Sequence, residues 1–102
     1  QQTRDFTYVD NAVDAFLLAA SAPEAPGKVY NIGMGASTSV LELVEAINEL
    51  LQASIKPKFG PLRPGDVRHS QADIALASRE LGYRPKVSFL EGLERTLKGL
   101  RM

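Results

Sequence analysis

The sequence predicts a small α/β unit, about four helices with two or three short strands, and three observations point to it. Residues 3–9 alternate, with Phe6 and Tyr8 on one side and Asp5, Thr7 and Val9 on the other, as a half-buried strand does. Val29–Ile32 is β-branched and aromatic and lies between Gly27 and Gly33, so it reads as a second, buried strand. Ser39 with Glu42, Ser70 with Asp73 and Ser88 with Glu91 have the spacing of capping boxes, which start helices.

The first strand is expected to end at Asp10, acting as a helix N-cap. Val13, Phe16, Leu17 and Ala20 then recur at helical spacing until the prolines and glycine of "SAPEAPG", so the first helix covers residues 10–21. After the Ser39 cap, Val40, Leu43, Val44, Ile47 and Leu50 or Leu51 form the apolar stripe of a second helix. Pro57 lies between Ile55 and Phe59 and restricts residues 55–59 to an edge strand or an extended loop, because proline donates no ladder bond. A third helix follows Ser70–Asp73 and stops at Gly82, a natural left-handed C-cap. "YRP" forces an extended link, and Leu90, Leu93, Leu97 and Leu100 line a closing helix. The order is β-α-β-α-(β)-α-α, with loops at 22–27 and 60–69 and one domain over residues 1–102.

Twelve Lys and Arg balance twelve Asp and Glu, so no overall field draws in nucleic acid or an anionic membrane, and an anion site must be built locally. The absence of cysteine removes disulfides, thiolate catalysis and cysteine-based zinc sites, and with no secretory leader or membrane-spanning run in view it makes the cytoplasm the expected compartment.

Two stretches are candidates for chemistry. "NIGMGAST", residues 31–38, half matches the dinucleotide fingerprint G-x-G-x-x-G, but Thr38 stands where the third glycine belongs, and a tight turn from strand to helix explains it as well. "LRPGDVRHS", residues 62–70, gathers Arg63, Arg68 and His69 around a Pro64–Gly65 turn. An arginine fork bonds phosphate oxygens bidentately, so Arg63 with a second arginine suits a diphosphate, although loop arginines are more often solvated. His69 has no second histidine to complete a metal site and no triad partner. Asp5, Asp10 and Asp14 straddle a strand end and a helix start, where they serve as cap, dipole partner or ion-pair partner of Arg4.

In order, "QTRDFTYVDNAVDA", "VYNIGMGASTSVLELVEAI", "LRPGDVRHSQADIALASRELGYRP" and "SFLEGLERTLKGL" resemble the C-terminal, substrate-binding part of extended short-chain dehydrogenase/reductases. The nearest type is the NAD-dependent epimerase/dehydratase, similar to UDP-glucose 4-epimerases. The resemblance covers nearly the whole chain. It implies a small substrate-binding subdomain with the NAD-binding Rossmann half absent. It also makes "NIGMG" part of the substrate region, not the NAD fingerprint.

By the same resemblance the substrate-binding residues are Arg4, Phe6, Val40, Arg63, Asp66 and Ser70. Arg4 and Arg63 would meet the diphosphate, Val40 the uracil or ribose, and Asp66 the ribose. Phe6 would lie beside the nucleotide at a position that is tyrosine in many members. Ser70 stands where some relatives carry a substrate-contacting tyrosine, which leaves the sugar open. The family's catalytic Tyr-x-x-x-Lys is missing, since Tyr8, Tyr30 and Tyr83 are followed four residues later by Ala12, Met34 and Val87. The expectation is therefore a UDP-sugar-binding domain, not catalytic alone and with no catalytic, cofactor-binding or metal residues, whose NAD belongs to the full-length enzymes. UDP-sugar would bind weakly, and the strand edge at Val29–Ile32 would be covered in a homodimer or by a separate Rossmann-domain chain. A non-catalytic oligomeric module or partner subunit derived from that domain is the alternative.

Overall fold

The computed structural model describes residues 2–61, 65 and 67–100. Its elements run β1 (Thr3–Arg4), α1 (Val9–Ser21), β2 (Thr38–Ser39), α2 (Val40–Leu51), α3 (Ala75–Leu81) and α4 (Phe89–Leu100). The α/β class, the four helices and the number of short strands match expectation, while the first strand is shorter than expected and the second lies at another position.

β1 and β2 pair antiparallel, Thr3 opposite Ser39 and Arg4 opposite Thr38. Residues 68–70 flank β1 on its other edge. There the Thr3 amide donates to the Arg68 carbonyl at 2.9 Å and the Ser70 amide to the Thr3 carbonyl at 3.1 Å, making a parallel bridge between Thr3 and His69. The Val40 amide donates to the Gln2 carbonyl at 2.9 Å, so α2 leaves directly from this small ladder.

Three strand expectations are corrected. The strand at 3–9 stops at Arg4, because the Asp5 carboxylate binds the backbone of two other segments and draws the chain out of the ladder. Val29–Ile32 is not a strand, since among the described residues no neighbouring backbone pairs with it, and Val29 is 86% exposed. Residues 55–59 form no strand either. The Asn48 side chain holds the Ile55 backbone at both its carbonyl (2.9 Å) and its amide (3.1 Å), in the manner of a side-chain clasp after α2.

The helix signals divide in the same way. Ser39 and Glu42 form the reciprocal capping box at α2, and Gly82 closes α3 in the left-handed region at φ 69°. At α4, Ser88 Oγ accepts from the Glu91 amide at 3.2 Å, but the Glu91 carboxylate turns to Arg95 at 2.7 Å. The box expected at Ser70–Asp73 does not form: Ser70 is committed to β1, and α3 starts at Ala75, whose amide is held by Asp73. Asp10 is not the cap of α1, which begins at Val9 after Tyr8. Asp10 lies in the first turn instead, 3.4 Å from Arg95, so Arg4 has neither Asp5 nor Asp10 as an ion-pair partner.

The buried face of α1 also differs from the expected stripe. The periodic stripe of large apolar residues in α1 is not the face that packs on the core. The structure buries Asn11 and Ala15 and leaves Val13, Phe16 and Leu17 exposed, Phe16 by 77%. On α4, Leu93 and Leu97 are half-buried, whereas Leu90 and Leu100 face solvent.

The core consists of Ala15, Ala77, Leu81 and Tyr83, with Leu18, Tyr30, Ile32 and Ile74 packed around it. The small alanines let α1 and α3 approach closely, and the Tyr83 ring fills the space between them and the 33–35 turn. Asn11 stitches the extended link to α1: its Oδ1 accepts from the Lys86 and Val87 amides, each at 3.0 Å, and its Nδ2 donates to the Val87 carbonyl at 2.9 Å. Gly92 is required where α4 crosses the start of α1, because a Cβ there would lie 2.7 Å from Tyr8 Cβ. The result is a slab of 48 × 36 × 19 Å, with a radius of gyration of 16.0 Å. About 13 Å is usual for a compact domain of ~100 residues, so much apolar surface stays on the outside.

A charged cluster fastens the 28–32 segment to α3. Glu80 Oε1 accepts from the Tyr30 hydroxyl at 2.7 Å and from Lys28 Nζ at 3.0 Å. These bonds, the Tyr30 one first, lower the Glu80 pKa, while burial and then Glu80 itself push Tyr30 up to about 12. A depressed carboxylate stabilises the fold above its unfolded value of about 4.3 and loses that contribution as pH falls through its lower folded value. A raised tyrosine contributes fully below about 10 and loses its contribution as pH climbs toward the folded value. Glu80→Gln is therefore expected to be less stable than wild type at pH 7 yet to lose less on acidification, as read from urea midpoints. Parallel acid profiles of the two chains would show that this cluster is not responsible.

Candidate functional site

The ladder edge brings three chain segments side by side: β1 with Arg4, the β2–α2 junction with Val40, and residues 68–70. They are adjacent because one short strand, β1, is bonded on both of its edges. Arg4 is half-buried at this junction, and its Nη1 donates to the Thr3 carbonyl at 2.7 Å and the Arg68 carbonyl at 3.2 Å. The guanidinium is thereby tied across two segments, its position set by backbone, which leaves its other nitrogens as the fork that a phosphate would meet. His69 is held from the other side by its Nδ1 against Thr3 Oγ1 at 2.7 Å.

Val40, half-buried, is the first residue of α2, behind the Ser39 cap. Glu42 in that box is held below its ordinary pKa, first by the Ser39 backbone and then by the Ser39 hydroxyl. Ser70 is exposed and, with Asp5, Tyr30, Gln71 and Asp73, borders an open polar cavity of about 590 Å3. Phe6 is placed elsewhere. Its ring packs on Phe89 at 5.9 Å in a groove between α2 and α4 that Leu43 and Leu93 also line. The structure thus brings Arg4, Val40 and Ser70 together and sets Phe6 on the neighbouring helix face. Arg63 and Asp66 lie outside the described residues.

Sequence reasoning missed Asp5. Its Oδ1 accepts from the Met34 amide at 2.8 Å and the Thr7 hydroxyl at 3.1 Å, and its Oδ2 from the Gly35 amide at 3.0 Å and the Ala72 amide at 3.2 Å. The signal available was weak: a short-range alternation that put Asp5 opposite Phe6, and a glycine pair at 33 and 35 with no phosphate to explain it. Those amides also decide the reading of "NIGMG". In a dinucleotide loop they would face a pyrophosphate, but here two of them are already bound to Asp5. The turn is therefore structural, and the residues present do not suit a dinucleotide at this place. Among the described residues no group of three or more His, Cys, Asp or Glu is placed to hold a metal ion, and no helix is long and apolar enough to cross a membrane.

Four helices with a two-stranded antiparallel sheet form an α/β arrangement that superposes on part of sugar-nucleotide epimerases of the extended short-chain dehydrogenase/reductase class. The family model described as GDP-mannose 4,6 dehydratase matches residues 1–96, and the chain belongs to this family of NAD-dependent epimerases and dehydratases. It is 40% identical over 99 residues to UDP-glucose 4-epimerase of Mycolicibacterium smegmatis, covering 97% of this chain and 31% of that protein. It superposes on UDP-glucose 4-epimerase from Thermotoga maritima, solved with UDP-glucose, with a TM-score of 0.89 at 40% identity over 98% of this chain and 32% of that one. UDP-glucuronic acid 4-epimerase from Bacillus cereus, solved with NAD, matches with a TM-score of 0.79 at 33% identity over 99% of this chain and 33% of that one. The chain thus spans about a third of the length of these relatives.

Proposed function

We propose that this chain binds the nucleoside diphosphate of a UDP-sugar, as the nucleotide-sugar-binding C-terminal domain of an NAD-dependent sugar epimerase/dehydratase. The observation that carries the reading is Arg4, held by two backbone carbonyls where three segments meet, in a chain similar to an enzyme solved with UDP-glucose. A guanidinium tethered in this way is pre-organised, so less of its rotamer freedom is lost when it meets a phosphate. Val40 supplies an apolar contact and Ser70 a small polar group near the sugar, and by family resemblance Arg63 and Asp66 are further ligands of the same substrate. Phe6 supports the site from the α2–α4 groove.

In this reading the chain positions the substrate, while hydride chemistry belongs to the NAD-binding part of the full-length enzymes. The exposed faces of α1 (Val13, Phe16, Leu17) and Val29, in a segment that pairs with no strand among the described residues, support a covered surface. A Rossmann-domain chain is the proposed cover, with a second copy of this chain as the alternative that would make it a free-standing, non-catalytic module. A cytoplasmic location is part of the same proposal.

The test is an NMR titration of the 15N-labelled chain with UDP. Shifts are expected at residues 2–4, 38–41 and 68–70, and Arg4→Ala should weaken binding by about tenfold or more, since a hydrogen bond to a charged group contributes about 1.5–3 kcal/mol. Equal affinity in Arg4→Ala, or shifts confined to the α2–α4 groove, would remove this assignment.

A further inference from the structure

We propose that Asp5 is the positioning residue of this site: it holds the segments bearing Arg4, Val40 and Ser70 in register through backbone amides and without touching the ligand. The inference rests on the nucleotide-sugar reading above and deepens it. One half-buried carboxylate gathers the Met34 and Gly35 amides, which lead into β2 and Val40, and the Ala72 amide, two residues beyond Ser70. Asp5 itself directly follows Arg4, so each proposed contact at the junction lies within a few residues of an atom that Asp5 binds. Bonds from amides to an ionised carboxylate are shorter and stronger than neutral ones, which suits a joint made of otherwise separate loops.

Two further features show that the joint is built and not incidental. Gly33 is buried, and a Cβ there would lie 2.7 Å from Asp5 Oδ2 and 2.8 Å from Ala72 Cβ, so a side chain at 33 would displace the carboxylate from its amides. Gln71 Nε2 donates to the Gly35 carbonyl at 2.8 Å, fastening the same two segments a second time. Asparagine is a poor substitute for Asp5, since it offers one acceptor oxygen and turns an NH2 group toward amides that are themselves donors.

The experiment compares wild type, Asp5→Asn, Arg4→Ala and the double variant at a temperature where circular dichroism shows each folded. Asp5→Asn is expected to weaken UDP binding by about tenfold, and by less than about threefold further when Arg4 is already alanine, because a residue acting through another gives a non-additive pair. Equal losses in both backgrounds, or no loss, would overturn the proposal, since a merely structural role leaves the pair additive. A ligand-free arm separates it from the nucleotide reading. In Asp5→Asn the Val40 and Ser70 amides, which bind Gln2 and Thr3 and not Asp5, are expected to exchange with deuterium faster, together with Met34, Gly35 and Ala72. Unchanged exchange at Val40 and Ser70 would refute the positioning role whether or not UDP binds. If Asp5→Asn does not fold, Thr7→Val removes one bond to Oδ1 and leaves the amides in place. It is then expected to lower UDP affinity by about two- to fivefold, and wild-type affinity would count against the proposal.

Discussion

Asn11→Ala is expected to be among the most destabilising single changes in this chain, costing about 3–5 kcal/mol. The side chain is 2% exposed and makes three bonds to the Lys86–Val87 backbone. Alanine would leave two amides and one carbonyl without partners at the point where the link between α3 and α4 crosses α1, and each buried orphan costs about 1–3 kcal/mol, less whatever water recovers. A domain of this size has about 5–15 kcal/mol in all, so the variant should lie near its unfolding midpoint in mild urea. Asn11→Asp separates the terms: it keeps the acceptor for both amides but loses the donor to Val87 and sets a carboxylate against that carbonyl. It should fall between wild type and alanine. Urea midpoints of the three chains check the order, and an alanine variant within about 1 kcal/mol of wild type would show that water replaces the clasp.

What the sequence made legible here is local chemistry. The Ser39–Glu42 box and the Gly82 cap are each decided within four residues, and both are found in place. The grouping of Arg4 with Val40 and Ser70 came through family resemblance, which carries tertiary information that periodicity lacks. Features set by distant partners were not legible. β1 ends after Arg4 because Asp5 bonds to amides about 30 and 67 residues away, and no alternation of side chains reports that. β2 was hidden for the same reason, as Thr38–Ser39 pairs with a strand that ends 34 residues earlier, at Arg4. The face of α1 was misjudged because its larger apolar residues are the exposed ones: Ala15 lies against the core and Phe16 outside it, an arrangement that suits a helix covered on a second side. Val29–Ile32 has the composition of a strand but no strand partner among the described residues, and composition alone does not say whether a partner strand exists.

Tyr83 joins this core to the proposed site, and its two substitutions should have different consequences. The ring is fully buried among Ala15, Ala77 and Leu81, and the hydroxyl donates to the Gly33 carbonyl at 2.7 Å, the residue whose missing Cβ makes room for Asp5. Tyr83→Ala removes a whole aromatic ring from a core of few large side chains and is expected to cost about 3–5 kcal/mol. Tyr83→Phe keeps the ring and leaves the Gly33 carbonyl unpaired, a cost of about 1–3 kcal/mol. Burial first, and then the charges of Asp5 and Asp14, push the Tyr83 pKa up, so the hydroxyl stays neutral and donating well into the alkaline range. Its contribution is full below the unfolded tyrosine value of about 10 and fades as pH rises toward the higher folded one. The phenylalanine variant has no such hydroxyl to lose, so its stability deficit relative to wild type should be constant from pH 7 to about 10 and narrow above that. Denaturant midpoints across this range test it. A deficit that does not narrow at high pH would mean that the fold does not raise the Tyr83 pKa, whereas no deficit at pH 7 would mean that the bond to Gly33 contributes nothing and that Asp5 and Gln71 hold the turn without it.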